Sequence, residues 1–229
     1  MKILICGVGN GIGGYITEYF SKNNDVFISS RGDFARELAD RLKIGYMQCD
    51  LRSLKDVRTL VSRASSAMDG LDVAINVAGN YFSSKAPWDY NPEEFADALL
   101  NNALTFYNVA IESSRCMAKN RDGLIIGFSA AGNVYLNSNP GYAAGKGSVS
   151  YMIKYFARSL LPYNVRVNGI APGFIEKGVK SNERNLLYHG RFPANDIALT
   201  IENLMKSKMI TGQIINISGG HDINIEPGL

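Results

Sequence analysis

A chain of 229 residues, 46% hydrophobic and 20% charged, has the material for one globular domain with a sizeable core. Its net charge is only +3 and no long basic run stands out, which argues against a nucleic-acid or membrane surface as partner. The three cysteines, Cys6, Cys49 and Cys116, are scattered, and there are two histidines, His189 and His221. That argues against a disulfide framework or a zinc site and fits a reducing, cytoplasmic setting.

The first strand pattern begins at Lys2-Ile3, which leaves no room for a signal peptide. No apolar run approaches the roughly 18 residues of a membrane span. Short apolar, β-rich runs at 3–6, 26–29, 46–49, 73–77, 124–128, 165–170 and 213–217 alternate with segments of helical length. Near-continuous apolar strands separated by helices read as βαβ units. The expected fold is a Rossmann-type, doubly wound α/β fold with a seven-stranded parallel sheet, one domain over residues 1–229. Ser53-Leu54-Lys55-Asp56 and Asn91-Pro92-Glu93-Glu94 have the residue order of helix starts.

The first turn, Gly7-Val8-Gly9-Asn10-Gly11-Ile12-Gly13-Gly14, follows a strand and opens a helix. Glycines there let the backbone approach a pyrophosphate lying on the helix N-terminus. The second strand ends in Ser30-Arg31, where an acidic residue would bind the ribose of NAD and an arginine can meet the 2′-phosphate of NADP. These residues predict NADP(H), with NAD(H) as the alternative. Asp50-Leu51 follows the third strand, where the carboxylate would accept from an adenine amino group or cap the next segment. Asn76-Val77-Ala78-Gly79 ends the fourth strand with small residues that let a cofactor lie close to the backbone.

A long helix is expected over 93–117, with an apolar spine of Leu99, Ala103, Phe106, Ala110 and Met117. Asn101-Asn102 interrupts it with residues that are mildly unfavourable in helix interiors, which suggests a polar task for one of them. Ser129 stands at the tip of the fifth strand. Tyr142-Ala143-Ala144-Gly145-Lys146 puts a phenol and an ammonium on one helix face. An ammonium beside a phenol favours the phenolate, which makes the tyrosine a better acid for a carbonyl oxygen. A surface tyrosine–lysine pair has the same spacing, so the motif depends on its context.

Taken together, these motifs resemble the short-chain dehydrogenases/reductases of the type without an extra domain, over nearly the whole chain. The glycine turn is similar to the family's cofactor turn, and 76–79 to its Asn-Asn-Ala-Gly. Asn102, Ser129, Tyr142 and Lys146 match the family's catalytic tetrad in order, and the spacing to Ser129 selects Asn102 over Asn101. The stretch 167–173 is similar to the strand and turn flanking the nicotinamide, which implies contacts from Pro172, Gly173 and Ile175. The closing strand at 211–220 completes the match.

The resemblance implies hydride transfer between a nicotinamide and a carbonyl or secondary alcohol. Tyr142 would act as proton donor, Lys146 as its activator and a holder of the ribose hydroxyls. Ser129 would act on the carbonyl oxygen, and Asn102 on a proton-relaying water. The 129–142 stretch is similar to 3-oxoacyl carrier-protein reductases, and reductases of small ketones, sugars or quinones are alternatives. Related enoyl reductases space their tyrosine and lysine farther apart, and position 139 is Asn139, not tyrosine. A cofactor-binding regulator or scaffold without turnover is the reading from a different class, set against a tetrad with all four positions filled.

Cys6, Val77, Gly145 and Lys177 depart from the family's usual residues, and Asn10 stands where some NADP-binding relatives carry a second basic residue. Tyr81, Phe82, Val134, Tyr135, Phe174 and Tyr188 fall in loops that would flank a substrate pocket, with a short lid between Gly173 and His189. Tyr151, Tyr155 and Arg158 lie across the helix from Tyr142, which with the resemblance implies a homodimer or homotetramer built on this helix and the 93–117 helix.

Overall fold

Seven of the apolar runs pair as one parallel sheet in a computed structural model, which describes residues 1–81, 85–132, 134, 137–175, 191–192 and 194–220. The strands are β1 (Lys2–Cys6), β2 (Asp25–Ser30), β3 (Gly45–Gln48), β4 (Val73–Asn76), β5 (Gly123–Phe128) and β6 (Val165–Pro172). A separate parallel pair, β7 (Phe174–Ile175) and β8 (Arg191–Phe192), precedes β9 (Ile214–Ile217). The order across the main sheet is β3-β2-β1-β4-β5-β6-β9. Boundaries depart from the expected ones by a residue or two, as strand ends do.

Alternation along each strand feeds two cores. Ile3 and Ile5 of β1 join one cluster, with Ile16 and Phe20 of α1 (Ile12–Phe20) and Leu38 of α2 (Asp33–Leu42). Leu4 and Cys6 join the other, with Leu60 of α3 (Leu54–Met68) and, beyond it, Phe106 and Val109. A strand buried on both faces needs apolar side chains at every position, which is why the run has no polar gaps. Both expected helix starts are capped. Ser53 Oγ accepts from the Asp56 amide at 3.3 Å, and Asn91 Oδ1 from the Glu94 amide at 2.7 Å.

The expected helix at 93–117 is three pieces: α4 (Pro92–Leu99), a π-helical turn (Leu100–Leu104) and α5 (Thr105–Asn120). The asparagines are the physical reason. Asn101 Nδ2 donates to the Asp97 carbonyl at 2.9 Å and Asn102 Nδ2 to the Ala98 carbonyl at 2.8 Å. Thr105 Oγ1 donates to the carbonyls of Asn101 and Asn102 at 3.0 and 3.2 Å. Side chains that bond carbonyls one turn back compete with the regular ladder and widen it locally.

Two further α-helices are α6 (Pro140–Ser159) and α7 (Ala194–Lys206). The strand order reverses between β1 and β4. In an open parallel sheet that leaves a crevice beyond the C-terminal strand ends, which is where ligands bind.

Candidate active site

A cleft of about 330 Å³ lies at this crevice, floored by Gly7, Val8 and Gly9 after β1 and walled by Ala78 and Gly79 after β4. Gly7 sits at φ +83, and a Cβ there would come within 2.6 Å of Ala78 Cβ, so only glycine lets the two turns approach. A Cβ at Gly9 or Gly11 would meet nothing within 4 Å, so the turn leaves open space above its backbone. No side chain caps the N-terminus of α1, whose N-cap is Gly11. An uncapped helix N-terminus with room above the turn fits a dinucleotide pyrophosphate.

Ser30, Arg31, Asp50 and Leu51 line the far end of the same cleft. Arg31 is exposed. The Asp50 carboxylate is already engaged, accepting from Arg52 Nη2 at 3.1 Å, from Arg52 Nε at 3.3 Å and from the Arg52 amide at 3.0 Å. Those bonds from Arg52 hold its carboxyl below the usual range. Asp50 therefore closes its own turn, and Ser53, not Asp50, caps α3. Oδ1 and Oδ2 each accept two contacts from Arg52, with Nε shared between them, so an adenine amine would have to displace one of these. The cleft also takes in Asn80, Asn101 and Thr105. Neither Thr105 nor Asn80 was expected there: Thr105 stands one helical turn beyond Asn101, and Asn80 carries no sequence signal.

Asn10, Ile12 and Gly13 belong to the same turn and helix start but do not line this cleft, nor does Asn76. Asn76 Oδ1 instead accepts from the Ala78 amide at 3.3 Å and shapes the turn. Pro172 ends β6, the Gly173 amide donates to the Ile217 carbonyl at 2.9 Å, and Ile175 lies in β7.

Gly79 connects the cleft to the tyrosine and lysine. It sits at φ +145, and a Cβ there would collide with Asn102 Oδ1 and stand 2.8 Å from Lys146 Nζ. Asn102 is fully buried, and its Oδ1 has no hydrogen-bond partner. Lys146 is 5% exposed, with Nζ donating to the Phe128 carbonyl at 2.8 Å and lying 5.8 Å from the Tyr142 ring centre. Burial pulls the Lys146 pKa down to about 8. Asn139 caps α6 by accepting from the Tyr142 amide at 2.6 Å, which orients the helix end bearing the phenol. Ser129, at the tip of β5, is buried against the same helix.

Gly145, unusual in the sequence, has a spatial reason. A Cβ there would lie 2.7 Å from Asn102 Cβ, so α6 packs onto the π-helical turn only without one. Alanine would gain about 1 kcal/mol of helix propensity and meet an overpacking cost of about 1–3 kcal/mol, so glycine wins. Around the phenol, Tyr81 packs edge-on at 5.6 Å and Phe174 packs on Tyr81 at 6.5 Å. Val134 and Ala130 share its cluster. Phe82, Tyr135, Tyr188, Lys177 and most of the expected lid lie outside the described residues.

Residues 7–222 match a family model described as "Enoyl-(Acyl carrier protein) reductase". The chain belongs to the short-chain dehydrogenase/reductase family. As a member it is an NAD(P)-dependent oxidoreductase. It is 32% identical to the 3-oxoacyl-(acyl-carrier-protein) reductase FabG of Thermotoga maritima, covering 95% of this chain and 96% of that one. It is 29% identical to the 7alpha-hydroxysteroid dehydrogenase of Escherichia coli, over 95% and 92% of the two chains. It is 30% identical to the L-fucose dehydrogenase of Bos taurus over 76% of this chain and 65% of that one. These short-chain relatives are named for different substrates, so family membership fixes the reaction type and not the substrate. Among the described residues no helix is long and apolar enough to cross a membrane.

Proposed function

We propose that the chain reduces a 3-oxoacyl group, presented on an acyl carrier, with NADPH in the cytoplasm. The observation carrying the catalytic part is the buried Lys146 ammonium, 5.8 Å from the Tyr142 ring and beside the unpartnered Asn102 Oδ1. The substrate part rests on the similarity to FabG over nearly the full length of both chains. An enoyl substrate, suggested by the family model's description, is disfavoured by the short spacing from Tyr142 to Lys146 and by Asn139.

A nicotinamide cofactor supplies the hydride chemistry. The Gly7–Gly13 turn, Ala78, Gly79 and the strand end at Pro172 and Gly173 would hold it. Tyr142 gives its phenolic proton to the carbonyl oxygen as the carbon is reduced. Lys146 stabilises the phenolate left behind. Ser129 donates to the same oxygen as negative charge develops on it. Asn102 offers an acceptor to a water that returns a proton toward Tyr142 and Lys146. Tyr81 and Phe174 give the pocket an aromatic wall suited to an acyl chain.

The cofactor preference rests on Ser30 and Arg31. Serine does not repel a 2′-phosphate, and arginine offers it a permanently charged fork. A charge-assisted hydrogen bond is worth about 1.5–3 kcal/mol, and the exposure of Arg31 favours the lower end, roughly tenfold in affinity. The test uses acetoacetyl-coenzyme A with each nicotinamide, plus fluorescence titration of wild type and Arg31→Ala at two salt concentrations. Turnover with NADPH is expected, and Arg31→Ala should weaken NADPH about tenfold while leaving NADH nearly unchanged. Equal loss for both cofactors, or a wild type preferring NADH, defeats the preference. Failure on every 3-oxoacyl thioester defeats the substrate.

We further propose a homodimer or homotetramer. Tyr151 is 72% exposed and Tyr155 60% exposed on α6, and Tyr107 of α5 packs on Phe156 as Tyr155 does. Large aromatics with Arg158 on one exposed helical face suit an isologous contact. Light scattering at micromolar concentration should give at least a dimer, and a Tyr151→Glu/Tyr155→Glu variant should be smaller. A wild type that is monomeric removes this part of the proposal.

A further inference from the structure

Helix α6 carries Tyr142, Lys146 and Ser150 at successive turns of one face. Ser150 Oγ lies 2.6 Å from Ser129 Oγ and 3.2 Å from the Lys146 carbonyl. Ser129 Oγ lies 3.2 Å from that same carbonyl. Two hydroxyls thus meet over one acceptor. Each has a single proton to give and two lone pairs to offer.

A separation of 2.6 Å is at the short end for O–H···O and requires a proton between the oxygens. If both protons pointed at the Lys146 carbonyl, the oxygens would face each other lone pair to lone pair. Among these three groups two patterns remain. In one, Ser129 donates to Ser150 and Ser150 donates to the carbonyl, so Ser129 has no proton left for a substrate. In the other, Ser150 donates to Ser129, which releases the Ser129 proton for an outside acceptor. A chain of such bonds polarises along its length, so donation from Ser150 also makes Ser129 a stronger donor.

We propose that Ser150 is a positioning residue that donates to Ser129 Oγ and so aims the Ser129 proton at the reacting carbonyl oxygen. The inference rests on the reading of Ser129 given under the proposed function. A developing alkoxide attracts the Ser129 proton, and Ser150 turns from the Lys146 carbonyl to support it. The helix holds both groups, so the carbonyl of Lys146 is a parking acceptor for whichever proton is not in use.

The experiment is a double-mutant cycle on acetoacetyl-coenzyme A reduction with NADPH, using Ser150→Ala, Ser129→Ala and the pair, with Ser150→Thr as the conservative variant. Ser150→Ala is expected to lower kcat about tenfold, the worth of one supporting hydrogen bond. KM and cofactor Kd should stay within about twofold of wild type, since neither ligand contact is removed. Ser150→Thr keeps a hydroxyl and should recover most of the rate. Ser129→Ala should cost roughly 10²- to 10³-fold, and adding Ser150→Ala to it should cost nothing more.

A wild-type kcat in Ser150→Ala overturns the inference. So does a tenfold loss that persists undiminished on the Ser129→Ala background, since Ser150 would then act through the fold. Both of those results leave the role of Ser129 standing. A Ser129→Ala variant with undiminished kcat overturns the Ser129 reading and this inference with it.

Discussion

Tyr142→Phe is expected to lower kcat by roughly 10²- to 10⁴-fold, the range that a positioned general acid supplies. The substitution keeps the ring, so the packing against Val134 and Ala130 and the edge contact with Tyr81 survive. It also keeps the Tyr142 amide, which Asn139 holds at 2.6 Å, so the start of α6 is not disturbed. Cofactor Kd should therefore change by less than about threefold, because kcat carries the loss when an interaction is made only in the transition state. Turnover near the wild-type rate, on any carbonyl substrate, would remove Tyr142 from the mechanism.

The fold was legible because the central strands β1, β4, β5 and β6 are buried on both faces. Ile3, Leu4, Ile5 and Cys6 leave no polar position in β1 after Lys2, and such a run, flanked by glycines and helices, suits little besides the middle of a parallel sheet. Helix starts were legible for a local reason too. Ser53 and Asn91 bond amides three residues on, and that chemistry is written in neighbouring residues. The break in the helix around Asn101 and Asn102 was only half legible. Their poor helix propensity marked the place, but the π-helical turn depends on which carbonyls their amides reach.

At the site, the glycine turn and the order of Asn102, Ser129, Tyr142 and Lys146 were visible as motifs, because each stands at a strand tip or a fixed helical spacing. What was hidden depends on groups distant in the chain meeting in space. Gly145 looked like a departure until its missing Cβ was seen against Asn102. Asp50 read as an adenine contact or a cap, and Arg52 takes its carboxylate first, while also reaching Asp97 at 3.3 Å. Ser150 gave no signal, since one serine in a helix says nothing about a hydroxyl 2.6 Å away on a strand tip.

Lys146→Met is expected to reduce turnover by at least about 10²-fold, from loss of the cation beside Tyr142, while the apoprotein remains folded. The wild-type ammonium is held at a cost. Burial lowers its pKa from 10.5 to about 8, a gap corresponding to roughly 3 kcal/mol. Methionine removes that cost and fills a similar volume, but leaves the Phe128 carbonyl without its donor, a loss of about 1–3 kcal/mol.

The two effects nearly cancel, so a calorimetric scan should show a Tm close to wild type or slightly above. A lysine present for structure alone would give the reverse, an unstable protein with chemistry intact where it folds. The pH dependence carries the same sign. Between about 8 and 10.5 the unfolded chain binds the lysine proton and the folded chain does not. Wild-type apoprotein stability should therefore gain from this group as pH rises through that window, whereas Lys146→Met should lack the gain. Carbonyl reduction should move the other way, falling as pH rises through about 8 and the ammonium is lost. Turnover within about tenfold of wild type in Lys146→Met, or an apoprotein that fails to fold, would leave Tyr142 without the partner that makes it an acid.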